Sequence, residues 1–318
     1  MRLLLVLLCA LIFNSCNDKK SLPKHITAYT LFNDTLKVTV KSLGAELSSI
    51  RFNDNEYLWQ GDKAFWKEQS PILFPIVGKL KDDEFIHKAK AYKMKFHGFA
   101  RTQEFKVINA TKKSITLELK NNEVTKQQYP FQFQLQISYT IKNNTLNIGY
   151  KVINTSNKDT LYFSIGAHPG LLYPKSTSQT HNDFSLVFDR SELPKSLDKK
   201  GGLFNGETTQ YFQEEGVLKL TDTTFNKGAL VFNPNPFSYV SLIHNPSGKP
   251  YLKVSFDGFP YLGIWSARDK NAPFLCIEPW YGIADYHNHD KILKNKSGIQ
   301  HLNPKEIFYS SYQISVLN

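Results

Sequence analysis

The sequence predicts an all-β protein, a large sandwich of antiparallel strands. Segments of alternating apolar and polar residues recur along the chain, the period of strands with one buried and one wet face. Phe and Tyr are abundant, 23 and 16 among 318 residues, and aromatic side chains favour pleated, half-buried surfaces. No long stretch carries the apolar stripe of an amphipathic helix. Alternating βαβ units are missing, which argues against a Rossmann fold or a TIM barrel.

The elements follow in order. Residues 26–32 and 36–40 flank Asn33-Asp34 and read as a hairpin. Residues 48–52 and 56–59 flank the turn Asn53-Asp54-Asn55 and read as another. Residues 114–119, 131–139 and 146–153 alternate with period two. Later strands are expected at 184–188, 239–243, 251–256, 262–266 and 307–316, while the polar, Gly-containing stretch 195–206 reads as a loop. No Gly/Ser-rich or Pro-rich linker divides the chain, and no internal repeat is visible. The expected organisation is therefore residues 1–15 as a signal peptide, 16–24 as a polar tether and 25–318 as one domain.

The N-terminal expectation has its own physics. Arg2 precedes an unbroken apolar run from Leu3 to Phe13. That run is shorter than the ~20 apolar residues a spanning helix needs, and it suits a signal-peptide core. Ser15-Cys16 and the polar Asn17-Asp18-Lys19-Lys20 follow, a pattern similar to the lipobox of bacterial lipoproteins. Cys16 is thus the expected lipidation site. It would anchor the domain to a membrane by lipid alone, in the bacterial cell envelope and facing the periplasm. Cys9 would leave with the signal, so Cys276 would be the one thiol of the mature domain and no internal disulfide is expected.

Charge narrows the function classes. The formal net charge is +11, from 39 Lys+Arg against 28 Asp+Glu. The excess is mostly Lys and is spread along the chain. Beyond Arg2 the arginines are Arg51, Arg101, Arg190 and Arg268. Base reading and bidentate phosphate clamps lean on Arg, so no nucleic-acid partner is expected. An envelope structural protein that uses its Lys on anionic polymers is a further reading, one that leaves the pocket motifs idle.

No P-loop, dinucleotide fingerprint, H-E-x-x-H or G-x-S-x-G is present. What remains is a set of His and carboxylates in Gly/Pro-punctuated segments: Phe96-His97-Gly98-Phe99-Ala100-Arg101, Gly166-Ala167-His168-Pro169-Gly170, Phe256-Asp257-Gly258 and Cys276-Ile277-Glu278-Pro279-Trp280. Such settings suggest strand ends or loops facing a pocket. A carboxylate between Ile277 and Pro279 is expensive to bury without a partner. Each has a plain structural reading as well. His97 can be a satisfied core His, Asp257-Gly258 an ordinary turn, and Glu278 a buried partner for Arg101. His287 and His289 form an H-x-H pair, too little for a metal site without further ligands.

Together with Gly44-Ala45-Glu46-Leu47 and Ser70-Pro71-Ile72-Leu73-Phe74-Pro75-Ile76-Val77-Gly78, these segments resemble the aldose 1-epimerase family. The resemblance is closest to its LacX-like, mutarotase-like branch. It covers nearly the whole mature chain in the family's order and implies the galactose mutarotase-like fold, a large antiparallel β-supersandwich. By the same resemblance Glu278 is the general base on the anomeric hydroxyl and His168 the general acid on the ring oxygen. His97 and Asp257 bind the sugar. Lys79 stands where many relatives have Arg, and Arg101 belongs to the same set. The implied reaction interconverts the α and β anomers of a free aldose by acid–base ring opening, with no metal or cofactor and a monosaccharide as partner. Two alternatives use the same fold. One is a carbohydrate-binding lipoprotein without turnover, which would have no need of both His168 and Glu278. The other is a hexose-6-phosphate 1-epimerase, which the small number of arginines disfavours.

Overall fold

The computed structural model describes residues 27–173, 180–268 and 271–317. The expected signal segment, Cys16 and the tether as far as Lys24 lie outside the described residues. Two large antiparallel sheets dominate. One has nine strands, in the order Val217–Lys219, Phe184–Phe188, Tyr239–His244, Lys249–Ser255, Ile307–Val316, Thr145–Asn154, Phe133–Lys142, Ser114–Lys120 and Lys106–Ala110. The other runs Ile165–Gly166, Phe274–Tyr281, Tyr261–Trp265, Leu230–Phe232, Lys195–Lys200 and Leu203–Gln210, with Gly170–Leu172 also paired to Phe274–Tyr281. Ala28–Phe32, Leu36–Lys41, Leu47–Phe52 and Asn55–Glu56 form a separate four-stranded sheet. Among the described residues the α-helix is confined to Glu123–Gln128, capped by Asn122, and no helix is long and apolar enough to cross a membrane.

Alternation builds the nine-stranded sheet. Along Phe133–Lys142 and Thr145–Asn154 every second side chain is buried. The register Val152↔Leu135 and Leu146↔Ile141 sets those buried residues side by side. They pack with Leu275 and Ile277 of the other sheet and with Val38 and Ile50 of the small one, so the core lies between the sheets. At ~25 cal/mol per Å2 of apolar surface removed from water, such a core dominates the stability.

The period-two segments emerge as strands within one to three residues of their expected bounds, and 184–188 and 307–316 match in full. Three expectations are corrected. Residues 195–206 are not a loop, because Lys195–Lys200 and Leu203–Gln210 form a hairpin with a register shift between Leu197 and Lys199. Residues 56–59 pair as a strand only at Glu56; beyond it the backbone of Trp59 donates to the carbonyl of Gly170 instead. Glu278 is not at a strand end, since it lies within Phe274–Tyr281. That strand is buried on both faces. Leu275 and Ile277 enter the main core, while Cys276 and Trp280, on Glu278's side, pack in separate clusters.

Candidate active site

One segment beneath the site ties its two histidines in place. Leu73 and Gly166 exchange backbone hydrogen bonds of 3.0 and 3.1 Å, and Ser164 donates to Pro75. Those bonds fix the approach to His168. The backbone N–H groups of Phe99 and Ala100 both donate to Phe74, and His97 N–H donates to Gly78. The segment is held from below by Glu46, whose carboxylate accepts from the backbone N–H groups of Gln69 and Ser70. Gly98 has to be glycine: its φ is +72°, and a Cβ would stand 2.3 Å from the Phe74 carbonyl oxygen.

His168 and Glu278 meet directly, Nε2 to Oε2 at 3.2 Å. Both are buried, with 8% and 1% of their surface exposed. Ala167 N–H donates to the Pro279 carbonyl, and the indole N–H of Trp280 donates to the Ala167 carbonyl at 3.1 Å, so the histidine segment is pinned to the Glu278 strand from two sides. Gly166 and Gly263 make room for that indole; a Cβ on either would approach it to 2.3 and 2.5 Å. Among the described residues the second carboxylate oxygen of Glu278 has no hydrogen-bond partner, a costly arrangement for a buried group.

Burial sets the protonation preferences. It raises the Glu278 pKa well above the usual carboxylate range, while the charge of Lys199 pulls it back down. It lowers the His168 pKa to about 3. The pair therefore favours the form with the proton on Glu278, and Lys199 narrows the gap to the ion-paired form. His97, 5% exposed, is held neutral by burial, its pKa lowered well below 6.5. Its Nδ1 accepts from Gly78 N–H at 3.1 Å. The remaining proton is thereby assigned to Nε2, leaving that edge as a donor.

These side chains open on a cavity of about 670 Å3. Its walls include Trp66, which lies against the His168 ring at 4.8 Å and 30°, and Trp265, edge-on to the same ring at 5.5 Å. Aromatic faces suit the apolar faces of a sugar ring. His168, Glu278 and the thiol of Cys276 also converge, their donor atoms within 4.8 Å of one another. Without a metal, burial raises the Cys276 pKa well above its ordinary value.

Of the six sequence-predicted site residues, four line the cavity: His97, Arg101, His168 and Glu278. Arg101 does not pair with Glu278. It binds Glu68 at 3.1 Å and the Phe96 carbonyl at 2.9 Å. Lys79 stands one layer behind, its Nζ donating to the Gly201 carbonyl at 3.4 Å beside the cavity wall. Asp257 is not brought to the cavity. It sits exposed in a turn after Lys249–Ser255, accepting from Ser238 Oγ at 3.1 Å. The plain turn reading of Asp257-Gly258 is the one the structure supports. His289 faces away as well, paired with Asp285 at 3.3 Å in a cluster closed by Lys296. Lys199 was missed by sequence reasoning, because it belongs to the hairpin read as a loop. Ser196-Leu197-Asp198-Lys199 carries a single apolar residue, so no local alternation marked it.

The fold joins a buried imidazole–carboxylate pair to a cavity with aromatic walls, an arrangement chemically suited to moving a proton. The comparisons agree. The aldose 1-epimerase family model matches residues 27–315. Protein LacX of Lactococcus lactis subsp. lactis is 33% identical over 297 residues, covering 91% of this chain and 99% of that protein. A galactose mutarotase related enzyme from Lactobacillus acidophilus superposes with a TM-score of 0.86 at 34% identity, over 92% of this chain and 98% of that one. A galactose mutarotase-like protein from Lactobacillus casei gives 0.85 at 27% identity, over 92% and 100%. This chain belongs to the aldose 1-epimerase family.

Proposed function

We propose that this protein is an isomerase that interconverts the α and β anomers of an aldose by general acid–base ring opening. The observation that carries the reading is the direct contact between His168 and Glu278 at the cavity wall. The reaction acts on two oxygens bonded to one carbon, so its acid and base must stand side by side. In the ion-paired form the Glu278 carboxylate takes the proton of the C1 hydroxyl. The C1–ring-oxygen bond breaks as the C1 carbonyl forms, and His168 Nε2 gives its proton to the ring oxygen. Glu278 is now protonated and His168 neutral, the form that burial favours. Rotation about C1–C2 presents the other carbonyl face, and closure reverses both transfers. No net proton is consumed, so the cycle returns to its start. In this reading His97 Nε2–H donates to a sugar hydroxyl and the Trp66 wall stacks on the ring.

Polarimetry or NMR on freshly dissolved pure anomers tests this. Wild type accelerates equilibration of at least one aldose. Glu278→Gln and His168→Ala each lower that rate by at least ~100-fold, and the double variant is little worse, because the two residues act as a unit. An undiminished rate in folded Glu278→Gln rejects the mechanism. The same fold as a sugar binder without turnover would show affinity but no acceleration in wild type.

A further inference from the structure

Four cationic side chains line the cavity: Arg101, Lys199, Lys227 and Arg268. Among the described residues the carboxylates that line the cavity with them are Glu68 and Glu278. Arg101 is committed to Glu68, and Lys199 sits in the field of Glu278. Lys227 and Arg268 hold no ion pair among the described residues, so the cavity carries a surplus of positive charge whichever form the catalytic pair takes.

Strand register explains why these residues gather. Ser196 pairs with Phe232, and Leu230 pairs with Ile264, all antiparallel. Lys199, Lys227 and Arg268 therefore leave three neighbouring strands at the same end, forming a cationic arc on one wall. Gly228, with φ +93°, leaves that arc open: a Cβ there would stand 3.9 Å from the Arg268 guanidinium and begin to cover it. A neutral hexose offers hydroxyls, which need no cations, whereas Lys227 and Arg268, exposed at the cavity rim, are free to meet an anionic group on an incoming sugar.

The geometry points to an aldose that bears an anionic group, a carboxylate or a phosphate ester, away from C1 and against Lys227 and Arg268. The inference rests on the anomer-interconversion reading and names its substrate class. The low arginine count of the chain argued against an anionic sugar. Location overrides the count, since two of those few arginines face this one cavity. Arg268 can grip either group through two parallel N–H donors, and Lys227 adds a point charge.

The test compares catalysed equilibration of single anomers of D-glucose, D-glucuronate and D-glucose 6-phosphate, at low and high salt. At least one anionic sugar exceeds D-glucose in kcat/KM by ~10-fold or more, and salt narrows the gap. The Lys227→Ala/Arg268→Ala double variant cuts the anionic-to-neutral ratio by ~10-fold or more. Which anion leads decides between carboxylate and phosphate. Equal or better turnover of D-glucose than of both anions, or an unchanged ratio in a folded double variant, overturns the inference. Calorimetric titration of the three sugars into Glu278→Gln reads affinity apart from turnover. Tighter binding of an anion by ~10-fold sustains the substrate class even where no sugar is turned over, and equal affinities sink it.

Discussion

Glu278, the proposed base, stands where a base is hard to keep. Burial drives its pKa up, and among the charges acting on it Lys199 is the one that pulls it down. Lys199 is itself partly desolvated, so its own pKa is lowered from 10.5 to about 8. The sign of the pH dependence follows. Below about pH 8 Lys199 is charged and favours ionised Glu278, the form that takes the C1 proton. As pH rises through that value the charge is lost, Glu278 holds its proton more tightly and the ion-paired form becomes rarer. The rate of anomer interconversion should therefore fall through an alkaline limb near pH 8. Lys199→Met should remove that limb and run several-fold slower below it, since one pKa unit corresponds to ~1.4 kcal/mol. A pH–rate profile of both proteins decides. An alkaline limb that persists unchanged in Lys199→Met assigns the titration to another group.

At the scale of elements, the strand Phe274–Tyr281 and its neighbours are shaped around one indole. Gly263 pairs with Glu278 across the sheet, and a Cβ there would meet the Trp280 ring at 2.5 Å. Gly263→Ala should push Trp280 off the Ala167 carbonyl and release His168 from its pinned position. Overpacking of this kind costs ~1–3 kcal/mol, so a lower Tm should accompany a fall in kcat. Calorimetric unfolding reads the Tm and polarimetry of pure anomers reads kcat, and a variant that keeps wild-type values of both shows that the indole does not brace the site. The same strand shows where sequence reading stops. Period two found Phe133–Lys142 and Thr145–Asn154, whose alternate residues face water. It could not find Phe274–Tyr281, because a strand buried on both faces shows no alternation. The four cavity-lining residues were legible through motifs that also carry backbone constraints, such as the Gly78–His97 pair of bonds. Asp257 was singled out by its Gly-punctuated segment and by family likeness, but the turn it occupies is exposed and ties it to Ser238 instead. Lys199 and the rest of the cationic arc depend on register between strands far apart in sequence, which no local pattern encodes.

At the scale of the whole molecule, the described body begins at Thr27 on the edge of the small sheet, where Thr27 N–H donates to Ser42 Oγ at 3.2 Å. Everything proposed for anchoring lies before it. The core lies between the sheets, and among the described residues no helix is long and apolar enough to cross a membrane. We propose that lipid on Cys16 tethers the domain through the segment before Thr27. One acyl chain alone binds a bilayer only marginally, whereas several chains on one residue hold it firmly. Cys16→Ala should accordingly move the protein from the membrane fraction to the soluble fraction, or leave it unprocessed at that site, while the isolated domain from Thr27 onward keeps its catalysis. Mass spectrometry of the mature N-terminus reads the outcome directly. An unmodified Cys16, or a mature chain starting elsewhere, removes the lipid anchor and leaves the sugar chemistry untouched.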